Sequence, residues 1–366
     1  MENQLKMTKR KVVHIIDNLG RGGAETMLVE LLPELNKKYE LILVTLTDRC
    51  DFDESMLQYS KKYVLQYKGY SDLWFAAKRL KKIIKAENPD IIRSQLYWST
   101  IITRLAIDKS TPYLFSVHAT VDEDPIVWYK KKFINLLEKL TYHPRQHMMG
   151  VTRAVVDSFT RFHPKHGKTY LLHNFVRDQF FKTNYQFSFD GNRPLKITSV
   201  GNIRLIKNVS FLVEVMNLLK DYNIILDVYG DGDMQKTVQE QIDRYGLKKM
   251  TLKGTRKDIH QVLPDYDIYI SASTVEGFGI AVAEAMSVGL PAFISDIPVY
   301  REIGGEQAIY FDNKNAKATA DLLIKALSNP DWLAGISNTT KEYAKQHFLK
   351  SNYIDKLDNI YSQISH

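Results

Sequence analysis

Hydrophobic and polar positions along the chain follow two periods, one typical of strands and the other of helices. Short apolar runs at 11–16, 41–46 and 195–200 have the length and β-branched content of buried strands. The stretches between such runs place apolar residues at helical spacing, as at 210–220 and 280–287. Strands that alternate with helices in this way predict an α/β fold built on parallel sheets.

The pattern is organised in two similar halves. Strands are predicted in the first half at 11–16, 41–46, 63–66, 90–94, 113–118 and 147–152, and in the second half at 195–200, 224–229, 250–253, 267–271 and 291–295. The polar, turn-rich stretch 184–194 between them is the predicted linker. At 366 residues the chain exceeds one ordinary core, so we expect two doubly wound domains that face each other across a cleft.

Composition narrows the class of protein. The chain is 44% hydrophobic and 25% charged, as globular proteins are, and no apolar run approaches the roughly 20 residues of a membrane span. Its N-terminus is polar and lacks an apolar signal core. A single cysteine, Cys50, excludes an intrachain disulfide. These features predict a protein of the reducing cytoplasm.

The formal net charge is +8, and many lysines fall in helix-like segments of the first half, notably 78–85 and 130–139. Most of these lysines are expected to be the solvated faces of amphipathic helices. The alternative is attraction to an anionic membrane surface, where basic residues add binding energy. Nucleic acid is not expected as a partner, because no aromatic-basic binding signature accompanies the charge.

The motif richest in candidate chemistry is 273–286, Ser-Thr-Val-Glu-Gly-Phe-Gly-Ile-Ala-Val-Ala-Glu-Ala-Met. It runs from the end of a predicted strand through two glycines into a helix, where backbone N–H groups can receive a phosphate. Glu276 precedes the helix and Glu284 lies about one turn inside it, so the two carboxylates could bind the hexose and the ribose of a nucleoside diphosphate sugar. Alternatively, Glu276 caps the turn and Glu284 lies on a solvated face.

Two features of the first half also lie at predicted strand ends. The turn 20–25, Gly-Arg-Gly-Gly-Ala-Glu, could bind a phosphate or an acceptor, or contain glycine only for its dihedral angles. Glu25 takes the place of the third glycine of a dinucleotide fingerprint, which argues against an oxidoreductase. His118 ends the run 112–118 and could donate a hydrogen bond to a substrate, or be structural.

A basic turn opens the second half. Arg204 and Lys207 follow the strand 195–200 and Gly201. Cations at this turn could neutralise a diphosphate leaving group, or they could be ordinary solvent-exposed side chains. No metal site is predicted. The aspartate pair at 231 and 233 reads as a turn, the pair at 265 and 267 belongs to the far end of its strand, and the histidines lack a shared helix face.

In combination, these motifs resemble glycosyltransferase family 4, retaining enzymes of the GT-B fold. The resemblance spans nearly the whole chain and includes Gly289-Leu-Pro291 and Glu302-Ile-Gly304 after the two-glutamate motif. It implies two Rossmann-like domains: an acceptor-binding domain at 1–184, a domain at 185–350 that binds a UDP- or GDP-sugar, and a last helix at 351–366 that crosses back to the first. It implies no metal ion or other cofactor.

The resemblance also assigns roles to residues. The catalytic set is His118 near the donor sugar, Arg204 and Lys207 on the diphosphate, and Glu276 on the hexose. The donor-binding set adds Glu284 on the ribose hydroxyls and the backbone at Gly22, Gly23, Gly201, Phe278, Gly279 and Ile280. One departure is that Asn202 directly follows Gly201, where the family has arginine, and Arg204 lies two positions later.

The function expected from the resemblance is metal-independent, retaining hexosyl transfer from a nucleotide sugar to a hydroxyl acceptor. The acceptor would be a lipid-linked glycan of surface polysaccharide synthesis, and the protein would be cytoplasmic or peripheral at the inner membrane face. The alternatives are a non-catalytic binding partner with this fold, or an epimerase or phosphorylase that shares it.

Overall fold

The computed structural model describes residues 9–20, 22–108, 111–120 and 128–364, and for 128–132 it describes the backbone alone. The chain divides into two compact units. The first comprises Met1–Leu172 together with Ile354–His366, and the second is His173–Tyr353. None of the helices within the described ranges has the length and apolar character needed to cross a membrane.

The described part of the first unit contains a seven-stranded parallel sheet in the order β3-β2-β1-β4-β5-β6-β7. Its strands are β1 (Lys11–Ile16), β2 (Glu40–Thr45), β3 (Lys61–Val64), β4 (Ile91–Gln95), β5 (Tyr113–Val117), β6 (His147–Gly150) and β7 (Thr169–Leu171). The helices between them are α1 (Gly23–Lys38), α2 (Leu73–Glu87), α3 (Tyr97–Ala106), α4 (Trp128–Thr141) and α5 (Arg153–Phe162). The inner strands are buried along most of their length because helices cover both faces of such a sheet, and β4 is buried even at Arg93 and Ser94.

The second unit contains a six-stranded parallel sheet in the order β10-β9-β8-β11-β12-β13. Its strands are β8 (Leu195–Val200), β9 (Ile224–Tyr229), β10 (Met250–Gly254), β11 (Ile268–Ser271), β12 (Ala292–Ser295) and β13 (Ala308–Phe311). The helices are α6 (Asp178–Phe181), α7 (Val209–Leu218), α8 (Gln235–Tyr245), α9 (Ile259–Val262), α10 (Ile280–Val288), α11 (Pro298–Gly304), α12 (Ala316–Leu327) and α13 (Pro330–Phe348). A final helix, α14 (Lys350–Ile364), follows.

The predicted fold class of Rossmann-like α/β units is confirmed, and each strand predicted from the sequence is present to within about two residues. Two strands were missed, β7 and β13, which lie at the edges of the two sheets. Most of their residues are only partly buried. Both are short, at three and four residues, and runs of this length give little periodicity to distinguish a strand from a helix.

The predicted linker and the boundary after Asn184 were wrong. The first unit ends at Leu172, and the stretch 184–194 belongs to the second unit. Phe189 is 4% exposed in the core of that unit, with Phe187 packed beside it. Arg193 donates to both carboxylate oxygens of Asp267, at 2.6 and 2.7 Å. Alternating aromatic residues pack one side of this segment on the core, and the residues between them remain exposed.

The C-terminal part of α14, from Ile354 onward, packs with the first unit. The hydroxyl of Tyr39 donates to the Asp358 carboxylate at 2.7 Å. The ring of Tyr361 is fully buried and meets the Tyr39 ring edge-on, with centroids 5.5 Å apart. These contacts attach the end of the chain to α1 and the start of β2.

Candidate active site

The candidate site of the second unit lies where the strand order of its sheet reverses. β8 and β11 are neighbours, but β9 follows β8 on one side and β12 follows β11 on the other. The chain therefore continues from β8 and from β11 toward opposite sides of the sheet, and the space beside their carboxyl ends, here called the crevice, is the usual ligand site of such sheets. The Thr274 N–H donates to the Ile206 carbonyl at 2.8 Å, which joins the loops that follow β8 and β11.

Glycines hold the loop after β8 against the loop after β9. Gly201 has φ +150°, and a Cβ at Gly230 would lie 2.0 Å from its carbonyl oxygen. A Cβ at Gly232 would lie 2.4 Å from the Ile203 oxygen. Both positions also have φ in the range that favours glycine. The segment 229–233 is therefore a packing turn, as predicted, and it fixes the backbone that leads to Lys207.

Lys207 and Glu276, which are 69 residues apart, form an ion pair in this crevice. The Nζ of Lys207 lies 2.5 Å from Oε1 of Glu276. The same oxygen accepts hydrogen bonds from the hydroxyls of Ser273, at 2.8 Å, and Tyr300, at 3.0 Å. Ser273 and Tyr300 are almost wholly buried, whereas the Lys207 side chain is 28% exposed. The carboxylate is thus held in one place, and the ammonium group retains access to solvent.

Helix α10 begins directly after this carboxylate. Gly279 caps it with φ +82°, and no side chain caps its first turn. A Cβ at Gly279 would lie 2.6 Å from the Tyr300 ring, so only glycine fits there. Phe278 is buried against Phe348 and therefore contributes its backbone to the crevice rather than its side chain. The helix start at Ile280 can receive an anion.

Glu284 lies one turn into α10 and is paired with Arg177. Its Oε1 is 3.4 Å from Nη2 of Arg177, and its side chain is 14% exposed. Burial raises the pKa of Glu284 to about 7, and Arg177 opposes that rise. Glu284 is therefore a largely enclosed carboxyl group, which excludes the alternative of a solvated helix face. It titrates near neutral pH.

Arg204 behaves differently from Lys207. Its side chain is exposed at the start of a short 3₁₀ turn, 205–207, and it makes no ion pair with any residue that the structure describes. Asn202, which stands in the family's usual arginine position, is exposed as well. Lys207 is therefore fixed by an ion pair in the crevice, and Arg204 is an exposed cation of the same loop.

Gly22, Gly23 and His118 belong to the first unit. Gly22 caps α1, and a Cβ there would lie 2.2 Å from the Glu25 carboxylate, whereas a Cβ at Gly23 would meet nothing within 4 Å. Glycine at position 22 thus allows Glu25 to fold back over the helix start. Position 23 leaves the first helical turn uncovered. Arg21, between Gly20 and Gly22, lies outside the described residues.

His118 follows β5 and lines a cavity of about 460 Å³. The walls are mainly apolar and aromatic and include Tyr97, Trp98 and Phe115. The Nε2 of His118 is enclosed and has no hydrogen-bond partner among the described residues. Burial, with a smaller contribution from Arg93, lowers the pKa of His118 to about 4. His118 is neutral at pH 7 and can exchange hydrogen bonds with an uncharged ligand.

One wall of this cavity contains a buried ion pair. Nη1 of Arg104 lies 2.7 Å from Oε1 of Glu138, with side-chain exposures of 0% and 16%. The Arg104 guanidinium lies 4.4 Å from the centroid of the Phe115 ring. Nε2 of His163 is 3.4 Å from the same glutamate oxygen. The pair is compensated, so the wall presents little net charge.

Within the described ranges, no group of three or more histidine, cysteine or acidic residues is placed to hold a metal ion. Asp267 is 3% exposed and is paired with Arg193 at the start of β11, as its position at the far end of the strand predicted. Sequence reasoning missed Arg177, Ser273 and Tyr300 as contacts of the two glutamates. Ser273 is adjacent to the motif and could have been found, but nothing local indicates the other two.

Two family models together match most of the chain: Glycosyltransferase Family 4 over residues 21–180, and Glycosyl transferases group 1 over residues 182–347. The O-antigen biosynthesis glycosyltransferase WclY of Escherichia coli is 20% identical over 97% of this chain and 98% of its own length. A galactosyltransferase of Escherichia coli, named for UDP-Gal and α-D-GlcNAc-diphosphoundecaprenol, is 32% identical over 27% of each chain.

The fold is also similar to solved structures of glycosyltransferases. The structure of Anabaena HepE in complex with UDP and glucose superposes with a TM-score of 0.78, at 16% identity, over 96% of this chain and 99% of that one. This likeness shows the fold, and the family models show the class of enzyme. The chain therefore belongs to the glycosyltransferases of the GT-B fold.

Proposed function

We propose that this glycosyltransferase moves a hexosyl unit from a nucleoside diphosphate sugar to a hydroxyl acceptor, with retention of configuration and without a metal ion. The observation that carries the proposal is the Lys207–Glu276 pair at the reversal of strand order, just before the start of α10, which no side chain caps. A cation beside a helix N-terminus suits the diphosphate of a donor. The fixed carboxylate next to it suits a sugar hydroxyl.

The leaving group determines what the crevice must do. As the C1–O bond to the diphosphate breaks, negative charge develops on the phosphate oxygens. Lys207, with Arg204 from the same loop and the N–H groups near Ile280, would stabilise that charge. These groups perform the electrostatic task that a metal ion performs elsewhere, and for that reason the proposal needs none.

Retention is proposed from the resemblance to glycosyltransferase family 4, and the contacts of Glu276 bear on the route by which it is reached. Its Oε1 already accepts from Lys207, Ser273 and Tyr300, which suits an orienting acceptor better than a nucleophile. We therefore propose a displacement on one face of the sugar. The acceptor oxygen bonds to C1 on the side that the diphosphate leaves, and the acceptor's proton passes to a phosphate oxygen of the leaving group.

The nucleotide end of the donor is assigned to Glu284. A carboxylate accepts two hydrogen bonds and can bind both ribose hydroxyls. The acceptor is assigned to the first unit, where the cavity beside His118 has a volume within the range of about 300–1,000 Å³ of small-molecule sites. His118 lines this cavity, and Gly22 and Gly23 lie at the start of α1 in the same unit. The donor base, uracil or guanine, is left open.

The acceptor class is a lipid-linked glycan of surface polysaccharide synthesis. WclY, which matches along almost the whole chain, is named for O-antigen biosynthesis, and a second relative is named for a diphosphoundecaprenol acceptor. Such an acceptor lies at the cytoplasmic membrane face. We therefore propose a cytoplasmic protein that contacts an anionic membrane peripherally, in agreement with the net charge of +8.

A panel of UDP- and GDP-sugars tests the function. One donor at 100 times its Kd should raise the free energy of unfolding of the second unit by about 2.7 kcal/mol, visible as a thermal shift. The same donor should be hydrolysed slowly, and transferred with retention when a lipid-linked glycan is added, as anomeric proton couplings report. An epimerised nucleotide sugar as product would identify an epimerase, and a sugar phosphate formed when inorganic phosphate is added would identify a phosphorylase. Binding without turnover would identify a non-catalytic partner.

Donor affinity should depend on pH through Glu284. Its folded-state pKa, about 7, lies above its ordinary value of 4.5, so the carboxyl group becomes an acceptor for two ribose hydroxyls only as pH rises through about 7. We expect affinity for a nucleotide sugar to be about tenfold lower at pH 6 than on the alkaline plateau. Calorimetry between pH 5.5 and 8.5 measures this.

Two variants serve as controls for that profile. Glu284→Gln should flatten it, and Arg177→Ala should move its midpoint upward because the opposing cation is lost. An identical pH profile in Glu284→Gln would assign the titration to another group. Without donor, the sign for stability is the reverse: the folded carboxyl group keeps its proton longer than the unfolded one, so stability falls as pH rises from about 4.5 to about 7.

A further inference from the structure

Aromatic side chains are exposed at the start of α2. Tyr70 in the turn before the helix, and Trp74 and Phe75 in its first turn, are each 58% exposed. Large aromatic groups usually bury their surface in a soluble protein, and several together mark a binding surface. Helix α2 has a buried side as well, with Ala76, Ala77 and Leu80. The exposed aromatic residues therefore face away from the core.

Lysines continue the same exposed face along α2. Lys78, Lys82 and Lys85 are exposed and follow the aromatic residues at helical spacing. Lys78 lies 5.8 Å from the centre of the Trp74 ring. None of the exposed residues of α2, which the structure describes in full, is acidic. Glu87 is buried, and Asp72 before the helix is paired with Arg79 at 2.6 Å.

Helix α4 extends this surface. In its part with described side chains, Phe133, Leu136 and Leu140 are 44%, 54% and 72% exposed and recur at helical spacing. The rings of Tyr70 and Phe133 meet edge-on, with centroids 5.6 Å apart. Lys139 is exposed beside the stripe, and Glu138 of the same turn is withdrawn into its pair with Arg104. Aromatic, aliphatic and basic groups thus share one surface of the first unit.

The chemistry of this surface fits lipid better than protein. Aromatic side chains favour the boundary between headgroups and acyl chains, and lysines beside them attract anionic headgroups. The cores of protein interfaces contain few lysines, whereas this surface carries three on one helix face. With no exposed carboxylate on α2, nothing on that face repels an anionic bilayer.

We propose that this aromatic–lysine surface, formed by Tyr70, Trp74, Phe75, Lys78, Lys82 and Lys85 and extended by the α4 stripe, docks on an anionic lipid bilayer. Helix α2 lies along the membrane plane, with Trp74 and Phe75 at the acyl boundary and the lysines among the headgroups. The proposal deepens the membrane contact of the proposed function and assigns it to a surface.

Binding of the full chain to vesicles tests the proposal. Wild type should sediment with vesicles that contain phosphatidylglycerol, more weakly at high salt, and much less with phosphatidylcholine alone. Lys78→Gln/Lys82→Gln/Lys85→Gln should weaken partitioning on the order of 100-fold, since each such lysine contributes about fivefold. Trp74→Ser/Phe75→Ser should weaken it by at least about tenfold, through lost apolar burial.

Matched variants of the second unit separate this surface from general effects. Lys220→Gln/Lys236→Gln/Lys248→Gln removes the same charge from exposed positions, and Tyr222→Ser/Tyr245→Ser removes aromatic side chains that are 39% and 44% exposed. Both should partition as wild type does. The proposal is overturned if wild type does not bind these vesicles, if the α2 variants bind normally, or if the matched variants weaken equally.

Two further measurements complete the test. Sedimentation equilibrium should show the same mass for wild type and the α2 variants, and a dimer lost in those variants would reassign the surface to contact between copies. Thermal shift with the preferred nucleotide sugar should be unchanged in each variant. Vesicle binding without any donor binding would refute the proposed function and leave this surface standing, and the converse would refute the surface alone.

Discussion

Replacement of Lys207 by alanine is expected to reduce sugar transfer by about 10²–10³-fold at saturating donor, the effect of removing one preorganised group that stabilises developing negative charge. Lys207 is the cation that an ion pair fixes just before the start of α10, where the diphosphate of the donor is assigned. Initial rates with the preferred nucleotide sugar measure the effect. Glu276→Ala should give a comparable loss, because the hexose then lacks its orienting acceptor.

The fold should survive these changes, which makes the kinetic result interpretable. Without Lys207, the Glu276 carboxylate still accepts from Ser273 and Tyr300. Melting temperatures should therefore remain close to wild type. Lys236→Ala, at an exposed position of α8, is the matched control and should leave the rate unchanged. Normal turnover in both Lys207→Ala and Glu276→Ala would remove the basis of the assignment.

Loss of Arg104 should have the largest effect on stability. Arg104→Ala leaves Glu138 with only His163 beside it, 3.4 Å away, in the wall of the first-unit cavity, and breaking a buried ion pair typically costs about 3–5 kcal/mol. Urea unfolding at pH 7, followed by circular dichroism, measures the change in the free energy of unfolding. If two transitions appear, each is analysed separately and assigned to one unit. Arg145→Ala, at an exposed position, should unfold as wild type does.

The stability lost in Arg104→Ala should depend on pH, and the direction follows from the pKa of Glu138. Burial raises the pKa of Glu138, but Arg104 and His163 outweigh it, and the folded-state pKa is lowered. The stabilisation is therefore present above the ordinary value of 4.5 and is lost as pH falls through the lowered value. The difference between wild type and Arg104→Ala should shrink on acidification.

Replacing both partners, as in Arg104→Met/Glu138→Leu, should recover much of the stability. An Arg104→Ala protein as stable as wild type throughout would show that the pair contributes nothing.

The motif around Glu276 shows how much of the candidate site can be predicted from neighbouring residues in the sequence. A strand, two glycines and a short helix are encoded within about twenty residues, so the position of Glu276 before the helix and Glu284 inside it could be read directly. The assignment of Glu284 to a solvated face was an open alternative, and the structure removes it. Its partner Arg177 lies 107 positions away, at the start of a four-residue helix that no periodicity indicates.

For the stretch 184–194, the local sequence predicted a linker, whereas part of the segment packs on the core of the second unit. Its asparagine, aspartate, glycine and proline residues are typical of a linker, and they do form an irregular segment without a strand or helix. What the composition did not indicate was that Phe187 and Phe189 would pack on the second core and that Arg193 would pair with Asp267. Local propensity describes the backbone of such a segment, but burial depends on what lies next to it.

The sequence by itself determined the alternation of strands and helices, the Rossmann-like class of the two sheets and the turns that carry candidate chemistry, because these depend on periodicity and on residues close together in the chain. Only the tertiary structure decided which groups meet: Lys207 with Glu276, Arg177 with Glu284, and Arg104 with Glu138. The physical reason is that charge pairing, burial and the resulting pKa of each group depend on contacts between distant segments, and no local pattern encodes them.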